Sequence, residues 1–310
     1  MTFHDLHPSP EDLEAEAIAG LSRPQKALPP KLFYDRQGSL LFDAITDLPD
    51  YYPTRTEIGI LRARGAEMAD ALGRGQVLVE LGSGSSVKIR TLLEALGPRL
   101  YCPVDISREH LLASAEALAQ AFPGLAIQAV CADYSLSLDL PLHPAWGQRS
   151  AFFPGSSIGN FEPAEAVALL GRINALVGPG GRLLIGVDRL KDRARLELAY
   201  NDSQGVTARF NLNLLARLNR EIKADFDLGA FAHRAFFNPL PNPEDPQRPG
   251  RIEMHLLSLK DQRVRIGRHI FPFRKGETIH TESSYKYAPG GFARLAAGAG
   301  FATHRTWTDP

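Results

Sequence analysis

From 54 to 73 the apolar residues Ile58, Ile60, Leu61, Met68 and Leu72 return at helical spacing. At Gln76-Val77-Leu78-Val79-Glu80-Leu81 they give way to a nearly unbroken apolar run, the kind a parallel sheet buries on both faces. Gly82 stops that run. Downstream the pattern predicts a helix over 86–96, a strand over 100–104, a helix opened by Ser107 and reaching 122, and strands over 125–130 and 150–153. A helix over 162–177, a stop at Gly178-Pro179-Gly180-Gly181 and a strand over 182–187 follow. Strands alternating with helices of this length predict an α/β fold: a Rossmann-like, doubly wound parallel sheet with right-handed crossovers.

Beyond Asp188 the pattern changes. Helical segments over 191–199 and 205–222 give way to consecutive strands over 231–237, 251–259, 263–273 and 278–287, which predicts an inserted α+β lobe. The run from Pro239 to Pro246 is so dense in prolines that it is expected to be an exposed loop. A Pro289-Gly290-Gly291 turn, a helix over 292–299 and a strand from Phe301 towards Trp307 read as a return to the first sheet, and a short closing strand is expected beyond Pro310.

Composition narrows the partner. Thirty-five basic and 35 acidic residues in 310 give zero net charge, which removes the electrostatic footprint of nucleic-acid binders and polybasic membrane readers and favours a small molecule. Cys102 and Cys131 are too few for a disulfide framework and suit a reducing compartment, so a cytoplasmic protein is expected. No run reaches the roughly 18 apolar residues of a membrane span, and the first residues lack a secretory pattern. The histidines show no metal-ligand spacing, so no metal is expected.

In open α/β sheets ligands lie at the carboxyl ends of the strands, and four such ends carry polar or glycine-rich residues. Glu80-Leu81-Gly82-Ser83-Gly84 lets the backbone turn tightly before a helix N-terminus. Asp105, 21 residues after Gly84, stands where a carboxylate accepts both ribose hydroxyls of an adenosine cofactor, and Asp133-Tyr134 stand where an acid meets an adenine amine and an aromatic ring covers the base. Val87 occupies the third-glycine position of a dinucleotide turn, which disfavours NAD and favours S-adenosylmethionine. At the fourth end, Pro154-Gly155-Ser156-Ser157-Ile158-Gly159-Asn160, the amide of Asn160 either holds a substrate's amine and carboxylate or caps the next helix. In the inserted lobe strict alternation places Thr278, His280, Glu282 and Ser284 on one polar face, which by periodicity reads as a solvent-facing edge, while Ile252, Met254 and Leu256 share a core face.

With those residues assembled, the chain resembles, essentially end to end, the L-histidine Nα-methyltransferases of ergothioneine biosynthesis. The stretches that carry the resemblance include Lys31-Leu32-Phe33-Tyr34-Asp35, Gly38-Ser39-Leu40-Leu41-Phe42-Asp43, Leu48-Pro49-Asp50-Tyr51-Tyr52-Pro53-Thr54-Arg55-Thr56-Glu57, Ala199-Tyr200-Asn201-Asp202 and Ile252-Glu253-Met254. The resemblance implies a class I methyltransferase domain (58–190 with 288–310), a substrate-binding lobe (8–57 with 191–287), no metal and a monomer. It places cofactor contacts on Tyr34, Gly82, Lys88, Asp105, Asp133 and Tyr134, with Tyr134 where relatives carry Phe. It assigns Asn160 and Tyr200 to the carboxylate and amine end of histidine, and Tyr51, Glu282 and Ser284, with Ser283 between the last two, to the imidazole end. Met254 is the apolar wall. Asn160 and Tyr51 are the implied catalytic pair, and Glu282 becomes a ligand rather than part of an edge.

The chemistry follows from the substrate. Methyl transfer from a sulfonium needs a nitrogen lone pair, which an α-ammonium lacks near neutral pH, so the site must bind or create the neutral amine and then position it. Three transfers to one nitrogen need room, which Gly155, Ser156, Ser157 and Gly159 are expected to provide. A methyltransferase for another aromatic amino acid, a non-catalytic S-adenosylmethionine sensor and an NAD-linked oxidoreductase remain as alternatives.

Overall fold

The structure is a computed structural model that describes residues 1–6, 10–84, 87–239 and 249–309. It opens with strand β1 (Thr2–Leu6) and helices α1 (Pro10–Leu21), α2 (Arg36–Thr46) and α3 (Tyr52–Leu72). Then come β2 (Val77–Leu81), α4 (Val87–Leu96), β3 (Leu100–Asp105), α5 (Arg108–Ala121), β4 (Ala126–Ala132), β5 (Arg149–Phe153), α6 (Pro163–Val177) and β6 (Arg182–Ile185). Helices α7 (Arg193–Leu198) and α8 (Val206–Glu221) precede β7 (Phe231–Asn238), β8 (Gly250–Ser258), β9 (Gln262–Ile266), β10 (His269–Phe273), β11 (Thr278–Lys286) and α9 (Pro289–Gly298).

Among the described residues the main sheet is parallel, in the order β1-β4-β3-β2-β5-β6. The order reverses between β2 and β5, and such a switch point opens a crevice at the strands' carboxyl ends. Val77 to Leu81 are buried throughout because helices cover both faces. Leu61, Met68, Leu92 and Leu111 fill one side, and Leu169, Ile173, Leu176 and Ala296 the other. A separate core joins Leu13 to Tyr52 with Leu196 to Ile279, and it packs under the antiparallel sheet β11-β8-β7. Helix α3 runs between the two, with Tyr52 in the second core and Leu61 in the first.

Several expectations change. Strand β1 escaped the pattern because Thr2-Phe3-His4-Asp5-Leu6 is a half-exposed edge strand with no apolar run. The segment 263–273 is a hairpin, not one strand, because Gly267 turns the chain with φ +54°. Residues 301–309 form no strand. Arg305 pairs instead with Glu67 at 2.6 Å, and the indole N–H of Trp307 donates to the same carboxylate at 3.2 Å. Most of the proline-rich loop, 240–246, lies outside the described residues.

Strand β11 departs from strict alternation in the place that matters most. His280 pairs with His255 and Glu282 with Met254, so Thr281 is an extra residue, a β-bulge. Its hydroxyl donates to Asn211 Oδ1 of α8 at 2.8 Å, which pins the bulge from inside. Residues directly opposite share a face. Ile279, Glu282 and Ser284 therefore lie with Leu256, Met254 and Ile252, while His280, Ser283 and Tyr285 lie on the reverse face.

Candidate functional site

Two half-sites meet at the crevice, and the first is built from the ends of β2, β3 and β4. Gly82 and Gly84 have φ of +67° and +44°, a region other residues rarely enter. That turn brings Gly84 N–H onto Asp105 Oδ2 at 2.9 Å, while Ser107 N–H donates to Oδ1 at 2.9 Å. Each carboxylate oxygen keeps a lone pair for a ligand. Burial pushes the Asp105 carboxyl up from its ordinary value. Tyr134 stands edge-on to Phe153, ring centres 5.6 Å apart, and its hydroxyl comes within 3.5 Å of where a Cβ at Gly82 would sit.

Lys31 Nζ reaches Asp133 Oδ2 at 2.8 Å and also pairs with Glu16, so the N-terminal segment is clasped onto the expected adenine acid. Sequence reasoning missed this lysine as a contact. The spacing Thr54-Arg55-Thr56-Glu57 matches a capping box, in which Glu57 would bond the Thr54 backbone. Glu57 instead leaves its helix: both of its oxygens accept from Gly155 N–H, at 3.0 and 2.9 Å, and it pairs with Lys88 Nζ at 2.7 Å. A Cβ at Gly186 would lie 2.0 Å from Glu57 Oε1, so a glycine after β6 is what admits the carboxylate. The expected cofactor lysine is thus held by an acid of α3.

The second half-site is aromatic and polar. Arg55 donates to the carbonyls of Leu48, Pro49 and Tyr51, at 2.7, 2.8 and 3.1 Å, and so fixes the loop that delivers Tyr51. Tyr51 lies edge-on to Tyr200 at 6.3 Å. Tyr200 Oη donates to Ser284 Oγ at 2.8 Å. Met254 is buried beside Glu282. The Glu282 carboxylate makes no hydrogen bond or ion pair among the described residues. Burial pushes it up to about 7, with Lys286 pulling the other way. The phenol of Tyr34 spans the halves: burial raises it well above its usual value, with Glu282 on one side and Tyr134 and Asp105 on the other adding to the shift.

Behind this set, Lys286 contacts Tyr200, Ser284 and Asp188. Asp188 also accepts from Tyr52 Oη at 2.6 Å and pairs with Lys191. Burial acts to raise the Asp188 carboxyl, but Lys286 and then Lys191 outweigh it and hold it down at about 2. Asp188 follows β6, and a polar residue at a strand's carboxyl end was the available signal for it. Lys286 was hidden because a lysine at a strand end reads as exposed.

Asn160 is half-buried and its amide has no hydrogen-bond partner among the described residues. It does not cap the next helix, α6, whose N-cap is Glu162, and the Glu162 N–H donates to Glu165 Oε2 at 3.0 Å. Ser283 faces away from Glu282 and Ser284, its hydroxyl 3.3 Å from His280 Nε2, so its side chain is outside the pocket. Gly159 is small for packing, not to leave room: a Cβ there would meet the Tyr285 carbonyl at 2.9 Å. Ser156 has φ +58°, and its hydroxyl ties the loops after β5 and β6 by accepting from Asp188 N–H at 2.8 Å. Glu253, His255 and His280 cluster on the reverse face of β8 and β11, where Arg251 and Asn238 already occupy Glu253.

Known proteins resemble this chain along most of its length. A family model described as histidine-specific methyltransferase, SAM-dependent, matches residues 13–310. A histidine N-alpha-methyltransferase of Mycobacterium tuberculosis is 45% identical over 96% of this chain and 91% of its own length. One of Mycolicibacterium smegmatis is 44% identical over 97% and 92%. Ergothioneine biosynthesis protein 1 of Neurospora crassa is 34% identical over 94% of this chain and 33% of its own length. The fold is that of class I methyltransferases, the methyl donor is S-adenosylmethionine, and the nicotinamide and sensor alternatives fall away. No helix among the described residues is long and apolar enough to cross a membrane. The chain belongs to the S-adenosylmethionine-dependent, histidine-specific methyltransferase family and is an N-methyltransferase.

Proposed function

We propose that this enzyme methylates the α-amino nitrogen of L-histidine and carries it to Nα,Nα,Nα-trimethylhistidine, the first step of ergothioneine biosynthesis. The observation that carries the substrate reading is Glu282, a buried carboxylate with no partner of its own, flanked by Ser284 and walled by Met254. Burial disfavours its charge, and a ligand that donates a hydrogen bond to it offsets that cost. An imidazole N–H does so, and Met254 packs on the ring.

The residues suit the donor as well as the acceptor. Asp105, with one lone pair free on each oxygen, fits a ribose diol, and Asp133 and Tyr134 fit an adenine edge and face, beside Tyr34 and the Gly82 turn. Lys88 fits the carboxylate of a methionine tail. S-adenosylmethionine, when bound, supplies a methyl group activated by a positively charged sulfur. The chain's own work is placement. Asn160 accepts from the amine and donates to the α-carboxylate, Tyr51 and Tyr200 border the same end, and the shared loop after β5 brings the amine towards the cofactor half. Such alignment supplies most of the acceleration in a displacement of this kind. A proton leaves the nitrogen before each of the three transfers, and a water path suffices for it.

The reading divides the chain into a cofactor half (58–190 with 288–310) and a substrate half (8–57 with 191–287). Calorimetric titration of histidine into the protein saturated with S-adenosylhomocysteine tests the assignment. Glu282→Ala is expected to weaken histidine by about 10- to 100-fold, the worth of a hydrogen bond to a charged group, and to leave S-adenosylhomocysteine affinity unchanged. Equal histidine affinity in both proteins contradicts it.

A further inference from the structure

Lys286 is 1% exposed, and its ammonium meets Tyr200 Oη at 3.1 Å, Ser284 Oγ at 2.8 Å and Asp188 Oδ2 at 3.0 Å. An ammonium has three N–H donors and no acceptor, so all three are spent. Tyr200 Oη donates to Ser284 Oγ at 2.8 Å. That direction suits the chemistry, because a phenol is the stronger donor and the weaker acceptor of the two hydroxyls. Ser284 Oγ thus accepts twice, from Lys286 and from Tyr200, and a hydroxyl has only two acceptor positions. What it retains for a ligand is its proton. Glu282, two residues earlier on the same face, is an acceptor when ionised.

We infer that Lys286 is a specificity-determining residue that sets this pocket to hold histidine with a neutral imidazole in one tautomer, Ser284 donating to the bare ring nitrogen and Glu282 accepting from the N–H. The inference rests on the histidine reading above. An imidazolium brings two N–H groups, and the second would face an oxygen whose lone pairs are both occupied. Charge points the same way. When Glu282 is ionised it and Asp188 balance Lys286 and the half-buried Lys191; the exposed Arg195 stacks on the outer side of Tyr52 at 4.7 Å, and the phenols of Tyr34, Tyr51 and Tyr200 also face the pocket, with Tyr52 on Asp188. A neutral ring keeps that balance. Glu282 by itself favours an imidazolium, as a carboxylate beside an imidazole does. It meets only one ring nitrogen, however, and the saturated Ser284 with its buried ammonium decides the other.

The test is nuclear magnetic resonance of ring-15N-labelled histidine bound to the full chain with S-adenosylhomocysteine, titrated from about pH 5 to 8 across the ordinary imidazole pKa. The expected result is a bound-ring pKa at least about one unit below that of free histidine, a tenfold preference for the neutral form, so that one ring nitrogen is protonated and the other bare from about pH 6 upward. Two protonated nitrogens in the complex at about pH 6 overturn the inference and leave histidine as the substrate. Signals that stay at their free values at every pH overturn the histidine reading and the inference with it. Lys286→Met keeps the stem and removes the donors, so the bound ring's pKa is expected to return to the free value or above. A folded Lys286→Met complex with the ring pKa still depressed overturns the part given to Lys286. If that variant does not fold, the titration of the unaltered protein decides.

Discussion

At the scale of single residues, the candidate site holds a buried carboxylate and a half-buried amide that are left for a ligand. Glu282 and the amide of Asn160 have no partners among the described residues, whereas Asp105, Asp133 and Asp188 are held by neighbours. The Glu282 carboxyl titrates at about 7 because burial raises it. A raised carboxyl is protonated below that value and ionised above it, so the acceptor is present on the alkaline side and lost as pH falls. The KM for histidine is expected to fall as pH rises through about 7, and Glu282→Gln is expected to flatten that limb to the titration of histidine itself. Steady-state kinetics across the range checks it. Asn160→Ala is expected to lower kcat/KM for histidine by about 100-fold or more through misplacement of the amine, with S-adenosylhomocysteine affinity kept. Most of these residues were named beforehand, because glycines and acids at strand ends point to a cofactor, the quoted motifs contain Tyr51 and Tyr200, and the resemblance assigned Asn160, Glu282 and Ser284. Ser283 was over-included: adjacency in sequence is opposition in a strand. Lys286 was missed because a long charged side chain is read as solvated until its partners are seen, and Glu57 because its spacing from Thr54 reads as a local cap.

At the scale of elements, two devices put the half-sites in register. The first is the bulge at Thr281. Strict alternation joins His280 to Glu282 and Ser284 on one face, but the extra residue moves the latter two onto the Met254 face and leaves His280 behind, stacked on His255 with ring centres 4.9 Å apart. Period-2 reasoning cannot see a bulge, because its cause, the grip of Asn211 on Thr281, comes from a helix some 70 residues away in sequence. The second device is the start of α3, where the N-cap Tyr51 and the first residue Tyr52 lie in the second core and Glu57 reaches Lys88 and Gly155. Gly186→Ala places a methyl group 2.0 Å from the Glu57 carboxylate and is expected to break that grip. The loss of a charge-assisted bond of this kind is worth about 1.5 to 3 kcal/mol. A drop of about 10- to 100-fold in S-adenosylhomocysteine affinity by calorimetry, without a comparable loss of thermal stability, is the expected outcome.

At the scale of the whole molecule, two cores meet along a crevice crossed by α3, by the Lys31–Asp133 pair and by the loops after β5 and β6. The parallel half was readable almost strand by strand, since each run is apolar and each stop is a glycine or an acid. The edges were not: β1 is too polar and too exposed to announce itself, and residues 301–309 lie against α3 through Glu67 instead of pairing as a strand. Both edges depend on what the chain meets after folding. The central claim, that this arrangement selects histidine and methylates its α-nitrogen, is tested most directly by incubating the protein with S-adenosylmethionine and an equimolar mixture of the twenty amino acids and following all of them by mass spectrometry. Histidine is expected to disappear alone, ending as its Nα-trimethyl form. Consumption of a different amino acid, or intact histidine alongside demonstrable S-adenosylhomocysteine binding, would contradict the claim.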